Sequence, residues 1–79
     1  MRLDKFLKVS RLIKRRTVAK EACDNERVTV NGRVARASYE VKVGDVLALR
    51  FGDRLLAVEV ISISEHVSKS DAPAMYKEI

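Results

Sequence analysis

The sequence predicts an α+β domain in which two N-terminal helices pack on a small, mostly antiparallel sheet of four to five strands. Three observations carry this. Apolar residues recur at helical spacing through the first third of the chain. Asn31-Gly32, flanked by alternating β-branched residues, marks a tight hairpin. Turn signals at Val43-Gly44-Asp45 and Gly52-Asp53 then separate short apolar runs. Helices followed by strands, without alternation, place the helices together on one face of a sheet.

The first helix is expected from Arg2 to Leu12. Leu3, Phe6 and Leu7 recur at i, i+3 and i+4, while Arg2, Lys5, Lys8 and Arg11 fall between them, so its polar side is cationic. Asp4, one turn from Lys8, reads either as its i,i+4 ion-pair partner or as a carboxylate orienting a basic neighbour. Leu12 and Ile13 form a short packing turn. The second helix is expected from Lys14 to Asn25, with Val18, Ala19, Ala22 and Cys23 as its apolar stripe. Ile13 and Val18 are spaced for a hydrophobic staple. Lys14, Arg15 and Arg16 crowd the start of this helix, where the macrodipole is positive and no Ser, Thr, Asp or Asn is placed to cap it. An arriving phosphate would turn that repulsion into attraction.

Val28 to Ala35 is a two-strand hairpin turning on Asn31-Gly32, a pair suited to a type I′ turn in which both central residues need φ > 0. Arg27, Arg33 and Arg36 extend the basic face or keep the strand edge soluble. Tyr39 to Lys42 is a short strand or an extended crossing segment. Val46 to Phe51 is a strand, and Leu55 to Ile63 alternates well enough for the last one. One domain therefore spans 1–63. Residues 64–79 form a polar tail whose Ala74 to Ile79 is compatible with a closing turn of helix, Met75 and Ile79 standing at i and i+4. His66 reads as a surface residue in that tail.

Seventy-nine residues allow one small core, and 47% hydrophobic residues with four aromatics make it aliphatic. The single Cys23 excludes an internal disulfide, suits a reducing compartment and reads as a small core residue. The charged start and the lack of a long apolar run point to a cytoplasmic protein without a membrane span. The net charge of +5 is segregated: residues 1–37 hold eleven cations against four acids, and residues 38–79 hold five against seven. That asymmetry implies a polyanion-binding face on a near-neutral scaffold. There is no paired-carboxylate site, Ser/His/Asp set, Cys/His metal spacing or Gly-rich phosphate loop, so neither an enzyme nor a cofactor or metal is expected.

Arg2-Leu3-Asp4-Lys5-Phe6-Leu7, Arg16-Thr17-Val18-Ala19, Val28-Thr29-Val30-Asn31-Gly32 and Val43-Gly44-Asp45-Val46 form a pattern. In that order and spacing, over residues 1 to about 52, the chain closely resembles the RNA-binding domain named for the small-subunit ribosomal protein S-four, with its alpha-L motif of paired helices. The chain is little more than this domain, so it is similar to the family's stand-alone bacterial members. The resemblance implies that it binds the large ribosomal subunit and its rRNA after a stalled ribosome has split. There it would hold peptidyl-tRNA in the P site while a tailing partner protein extends the nascent chain. It also implies an RNA surface on the first two helices and their loop: Arg2, Lys5, Lys8, Arg11, Lys14, Arg15 and Arg16, with Asp4 as part of the motif. Repositioning of stalled tRNA without tailing, and a protein–protein adaptor with basic helices, remain alternatives; a monomer is the default. One position departs from the pattern. Glu26 stands where the family commonly has Gly before the first strand, and Asn25 is expected to take the left-handed conformation instead.

Overall fold

The computed structural model describes residues 1–65 and 67–79, so His66 lies outside the described residues. Helices α1 (Leu3–Val9) and α2 (Arg16–Asp24) precede strands β1 (Val28–Val30), β2 (Arg33–Val34), β3 (Val46–Phe51) and β4 (Arg54–Val60). A 3₁₀ turn, Ala72–Met75, then leads into β5 (Tyr76–Glu78). All five strands join one antiparallel sheet in the order β2-β1-β3-β4-β5. The expected α+β architecture is therefore present, with its full complement of strands.

The period of two places Val28, Val30, Leu47, Leu49, Val58 and Val60 on the face beneath the helices, where all are buried. Leu3, Phe6 and Leu7 of α1 and Ala19 and Cys23 of α2 close over them in one core. Val18 is a correction. It is 45% exposed while Ile13 is buried, so it does not close a staple, and the α2 stripe narrows to Ala19, Ala22 and Cys23. A valine one residue from Ala19 is turned about 100° away from the line facing α1.

Both helices are shorter than their sequence patterns, and both end on a left-handed residue that is not glycine. The apolar pattern predicts α1 through Leu12, yet it stops at Val9 because Arg11 has φ 64°. Its N–H reaches the Lys8 carbonyl at 3.0 Å, and Ile13 N–H reaches the Leu7 carbonyl at 3.0 Å. At the end of α2, Glu26 adopts φ 60° while Asn25, expected to do so, stays at φ −90°. Two bonds fix the choice. Glu26 N–H donates to Cys23 O at 3.0 Å and Arg27 N–H to Ala22 O at 2.9 Å, a Schellman pair that requires the left-handed residue at position 26.

The hairpin turns on Asn31 (φ 52°) and Gly32 (φ 84°), both left-handed as a type I′ turn demands. Residues 39–42 are the extended crossing, not a strand of the main sheet. Glu40 bridges to Arg2, and Val41 N–H donates to Met1 O at 2.9 Å. The C-terminal stretch differs most from expectation. In place of a polar tail with a closing helical turn, Met75 is buried in the core and Tyr76–Glu78 pairs along β4, with Ile79 70% exposed. Val60 opposite Tyr76 supplies the apolar edge that draws this segment in.

Candidate nucleic-acid interface

Asp4 is the hub of the basic face. It lies in the first turn of α1, where Leu3 and Phe6 carry it into the core, and it is only 3% exposed. A carboxylate this buried requires compensating donors. Arg2 Nε and Nη2 donate to its two oxygens at 3.2 and 3.3 Å, and Arg16 Nη2 donates from the start of α2 at 3.5 Å. Lys5 N–H adds a bond at 2.8 Å. Burial alone would raise the carboxyl pKa, but the two guanidinium groups and the Lys5 amide outweigh it and hold Asp4 below the usual carboxylate value. Lys8 is not its partner, which corrects the i,i+4 reading. The carboxylate instead orients two arginines across the helix pair. Both remain about half exposed, and a guanidinium carries five N–H donors, so each keeps donors facing outward.

The remaining sequence-predicted cations divide. Lys8, Arg11 and Lys14 line one groove with Glu65 and Val67, brought together because the left-handed Arg11 folds the chain back after α1. Lys5 is paired with Glu65 at 3.2 Å, so its charge is partly neutralised by the C-terminal stretch. Arg15 is exposed at the N-cap of α2.

The two helix starts contrast. Leu3 N–H donates to Tyr39 O at 2.8 Å and Asp4 N–H to Ala37 O at 3.1 Å, which closes the start of α1 against the crossing segment. Among the described residues no side chain caps α2. Two further cations join the face. Lys20 and Arg36 share with Arg2 a second groove between α2 and residues 34–38, where Asp24 and Glu26 also stand. Lys20 was findable, because it stands one helical turn after Arg16. Of the two roles the sequence leaves open for Arg36, the chain path after β2, which brings it back to α2, favours extension of the basic face.

Behind the face, a second buried aspartate holds the crossing segment in place. Asp45 accepts from Asn31 Nδ2 at 3.1 Å, from Tyr39 Oη at 3.0 Å and from Lys42 N–H at 2.9 Å. Burial again opposes its ionisation. The Lys42 amide, Asn31, Tyr39 and the Lys42 charge prevail, and its pKa is lowered. The same contact raises the Tyr39 phenol, with burial adding to it. Asn31 Oδ1 also accepts Val46 N–H at 2.9 Å, so the turn residue of the hairpin clasps the Val43-Gly44-Asp45 turn. The path is continuous: Asp45 holds Tyr39, whose carbonyl holds Leu3, the residue before Asp4. Cys23 takes no part in acid–base work. Burial, then Asp4 and Asp24, push its thiol up to about 11, so it stays protonated. Among the described residues no group of three His, Cys, Asp or Glu side chains is arranged to hold a metal, and no helix is long and apolar enough to cross a membrane.

A family model described as the S4 domain matches residues 1–47. The chain is 58% identical over 77 residues to the RQC P-site tRNA stabilizing factor of Halalkalibacterium halodurans, covering 98% of this chain and 88% of that protein. It is 53% identical over 79 residues to the protein of the same description from Streptococcus pneumoniae, covering 100% of this chain and 90% of that one. Among solved structures it matches heat shock protein 15 of Vibrio cholerae, described as trimeric, with a TM-score of 0.92 and 30% identity over 100% of this chain and 81% of that one.

Proposed function

The chain belongs to the S4 domain family, and from that premise we propose that it is a non-catalytic RNA-binding factor of ribosome-associated quality control. In this reading it sits in the cytoplasm as a monomer on the large ribosomal subunit. It contacts rRNA and the P-site peptidyl-tRNA of a split, stalled ribosome, and it steadies that tRNA while a tailing partner protein extends the nascent chain. The description of the two relatives as P-site tRNA stabilizing factors, over nearly the whole chain, supports the choice of pathway.

The geometric observation that carries the reading is the Arg2–Asp4–Arg16 group. Two arginines fixed by one buried carboxylate present outward donors at a set separation, which suits two phosphates of a structured RNA. Lys8, Arg11, Lys14 and Arg15, with the uncapped start of α2, then follow the backbone. Recognition on this face is of shape and phosphate spacing. Neutralising about five phosphates makes affinity fall by orders of magnitude from low to moderate salt. Steadying a tRNA requires no chemistry beyond this: holding its backbone in register lowers the freedom to leave the P site.

Sucrose-gradient sedimentation of a tagged copy in native lysate at two salt concentrations tests the reading. Co-migration with large subunits carrying peptidyl-tRNA, weakened by salt and by Arg16→Ala, is the expected result. Migration at the top of the gradient under both conditions rejects it. The close match to heat shock protein 15 favours a second reading, repositioning of tRNA without tailing. Nascent-chain tails that persist in cells lacking the protein would select that one.

A further inference from the structure

The β-hairpin carries a groove that the helical face does not use. It has a volume of about 670 Å³ and is lined by Val30, Val34, Ala35 and Tyr39 together with Arg33 and Arg36. That volume lies in the range of small-ligand pockets. Val34 is 56% exposed although apolar, so the groove offers open hydrophobic surface. Tyr39 is held by its hydroxyl bond to Asp45 and by packing against the core, and it still lines the groove. Neither Arg33 nor Arg36 has an acidic partner among the described residues. The groove also continues into the basic face: Val34, Ala35, Arg36 and Ser38 line both it and the neighbouring groove of Arg2 and Lys20.

We infer that this groove takes one unstacked base of the RNA bound on the helical face, with Arg33 and Arg36 on the flanking phosphates. The inference rests on the RNA-binding reading above and adds a site to it. A nucleotide combines a flat apolar face with an adjacent anion, which is what an apolar groove beside two unpaired cations complements. RNA presents such bases at loops and bulges, where aromatic and arginine side chains stack on them. The shared Val34–Ser38 lining gives a backbone lying against Arg2 and Lys20 a short route to the groove. The helical ridge reads phosphates and shape; the hairpin groove adds a requirement for one base that is free to leave its stack.

The test uses the full chain and two RNA hairpins of equal length and charge. One carries a single bulged 2-aminopurine and the other holds the same base paired in the stem. The bulged RNA is expected to bind about ten-fold more tightly, with a change in 2-aminopurine fluorescence on binding. Val34→Ser, which removes apolar surface without adding charge, abolishes that preference while its thermal midpoint stays near wild type, so the ratio of the two affinities is the quantity read. Arg36→Ala weakens the bulged complex more than the paired one. Equal wild-type affinities for the two RNAs overturn the groove and leave the RNA-binding reading standing, and binding to neither overturns the reading beneath it. An unchanged preference in Val34→Ser likewise removes the groove from RNA recognition. Capture of an acidic peptide that is lost in Val34→Ser, alongside equal RNA affinities, would assign the site to a protein and overturn the inference.

Discussion

Asp4 and Asp45 are both buried, both accept three or more hydrogen bonds and both titrate below an ordinary aspartate, yet their surroundings differ in kind. Asp45 is held by an amide, a phenol and a backbone N–H, groups that serve only the packing of the two turns against the crossing segment. Asp4 is held mainly by two arginines whose other sides face solvent. The same device therefore does two jobs. Around Asp45 it spends its bonds internally and stabilises the fold. Around Asp4 it organises charge at the surface: the carboxylate is buried, the two arginines are half exposed, and the pairing fixes the direction of their outward donors.

The largest expected effect comes from the internal partner. Asp45→Ala leaves the Tyr39 hydroxyl, the Asn31 amide and the Lys42 N–H without an acceptor, and it is expected to destabilise the protein by about 2–4 kcal/mol. Urea unfolding measures this. A loss no greater than that of an ordinary surface substitution would break the contrast between the two sites. The sign of the pH dependence follows. The folded pKa of Asp45 lies below its unfolded value, so its contribution is complete above about pH 4. It declines as pH falls through the folded pKa. Wild type loses stability in that acid window, and the Asp45→Ala curve should be flatter there.

Asp4→Asn sharpens the comparison because simple charge counting and positioning predict opposite results. The substitution adds one unit of positive charge, so a purely electrostatic surface would bind RNA more tightly. If Asp4 instead positions Arg2 and Arg16, freeing both side chains should weaken RNA binding about ten-fold, with stability falling by about 1–3 kcal/mol because a buried acceptor of several donors is replaced. Fluorescence anisotropy at fixed salt, paired with urea unfolding, reads both quantities. Tighter binding by the variant would sink the positioning role.

Local patterns carried much of this fold and less of the site. The buried line Leu3, Phe6 and Leu7 of α1, the Asn31-Gly32 turn and the Gly44 and Gly52 turns are set by neighbours in sequence, and each lies where its pattern puts it, although α1 ends three residues early. Val18 shows the limit of periodicity: a nine-residue helix has room for only a narrow buried line, and the position of α1 decides which apolar residues occupy it. β5 was illegible for a similar reason. Three residues with one apolar member become a strand only because β4 presents a free edge. The cations of the face could be named from the chain, but not their grouping. Asp4 meets Arg16 across twelve residues, Lys5 meets Glu65 across sixty, and Arg36 returns to α2 through a path no local rule describes.

The smallest expected effect concerns the joint between the two regions. Glu26 holds a left-handed backbone that costs a residue with a Cβ about 1–2 kcal/mol, and glycine removes that strain while giving the unfolded chain more freedom. Glu26→Gly should therefore stabilise the protein by a net of about 0.5–1 kcal/mol, read as a higher urea midpoint. Glu26 also stands in the groove of Arg2, Lys20 and Arg36, so removing its charge should tighten RNA binding at low salt, with the difference fading as salt rises. A Gly variant that is more stable but binds RNA no better at any salt would separate the two regions: position 26 would then belong with the Asp45 clasp as scaffold, and the RNA path would end short of the α2–β1 junction.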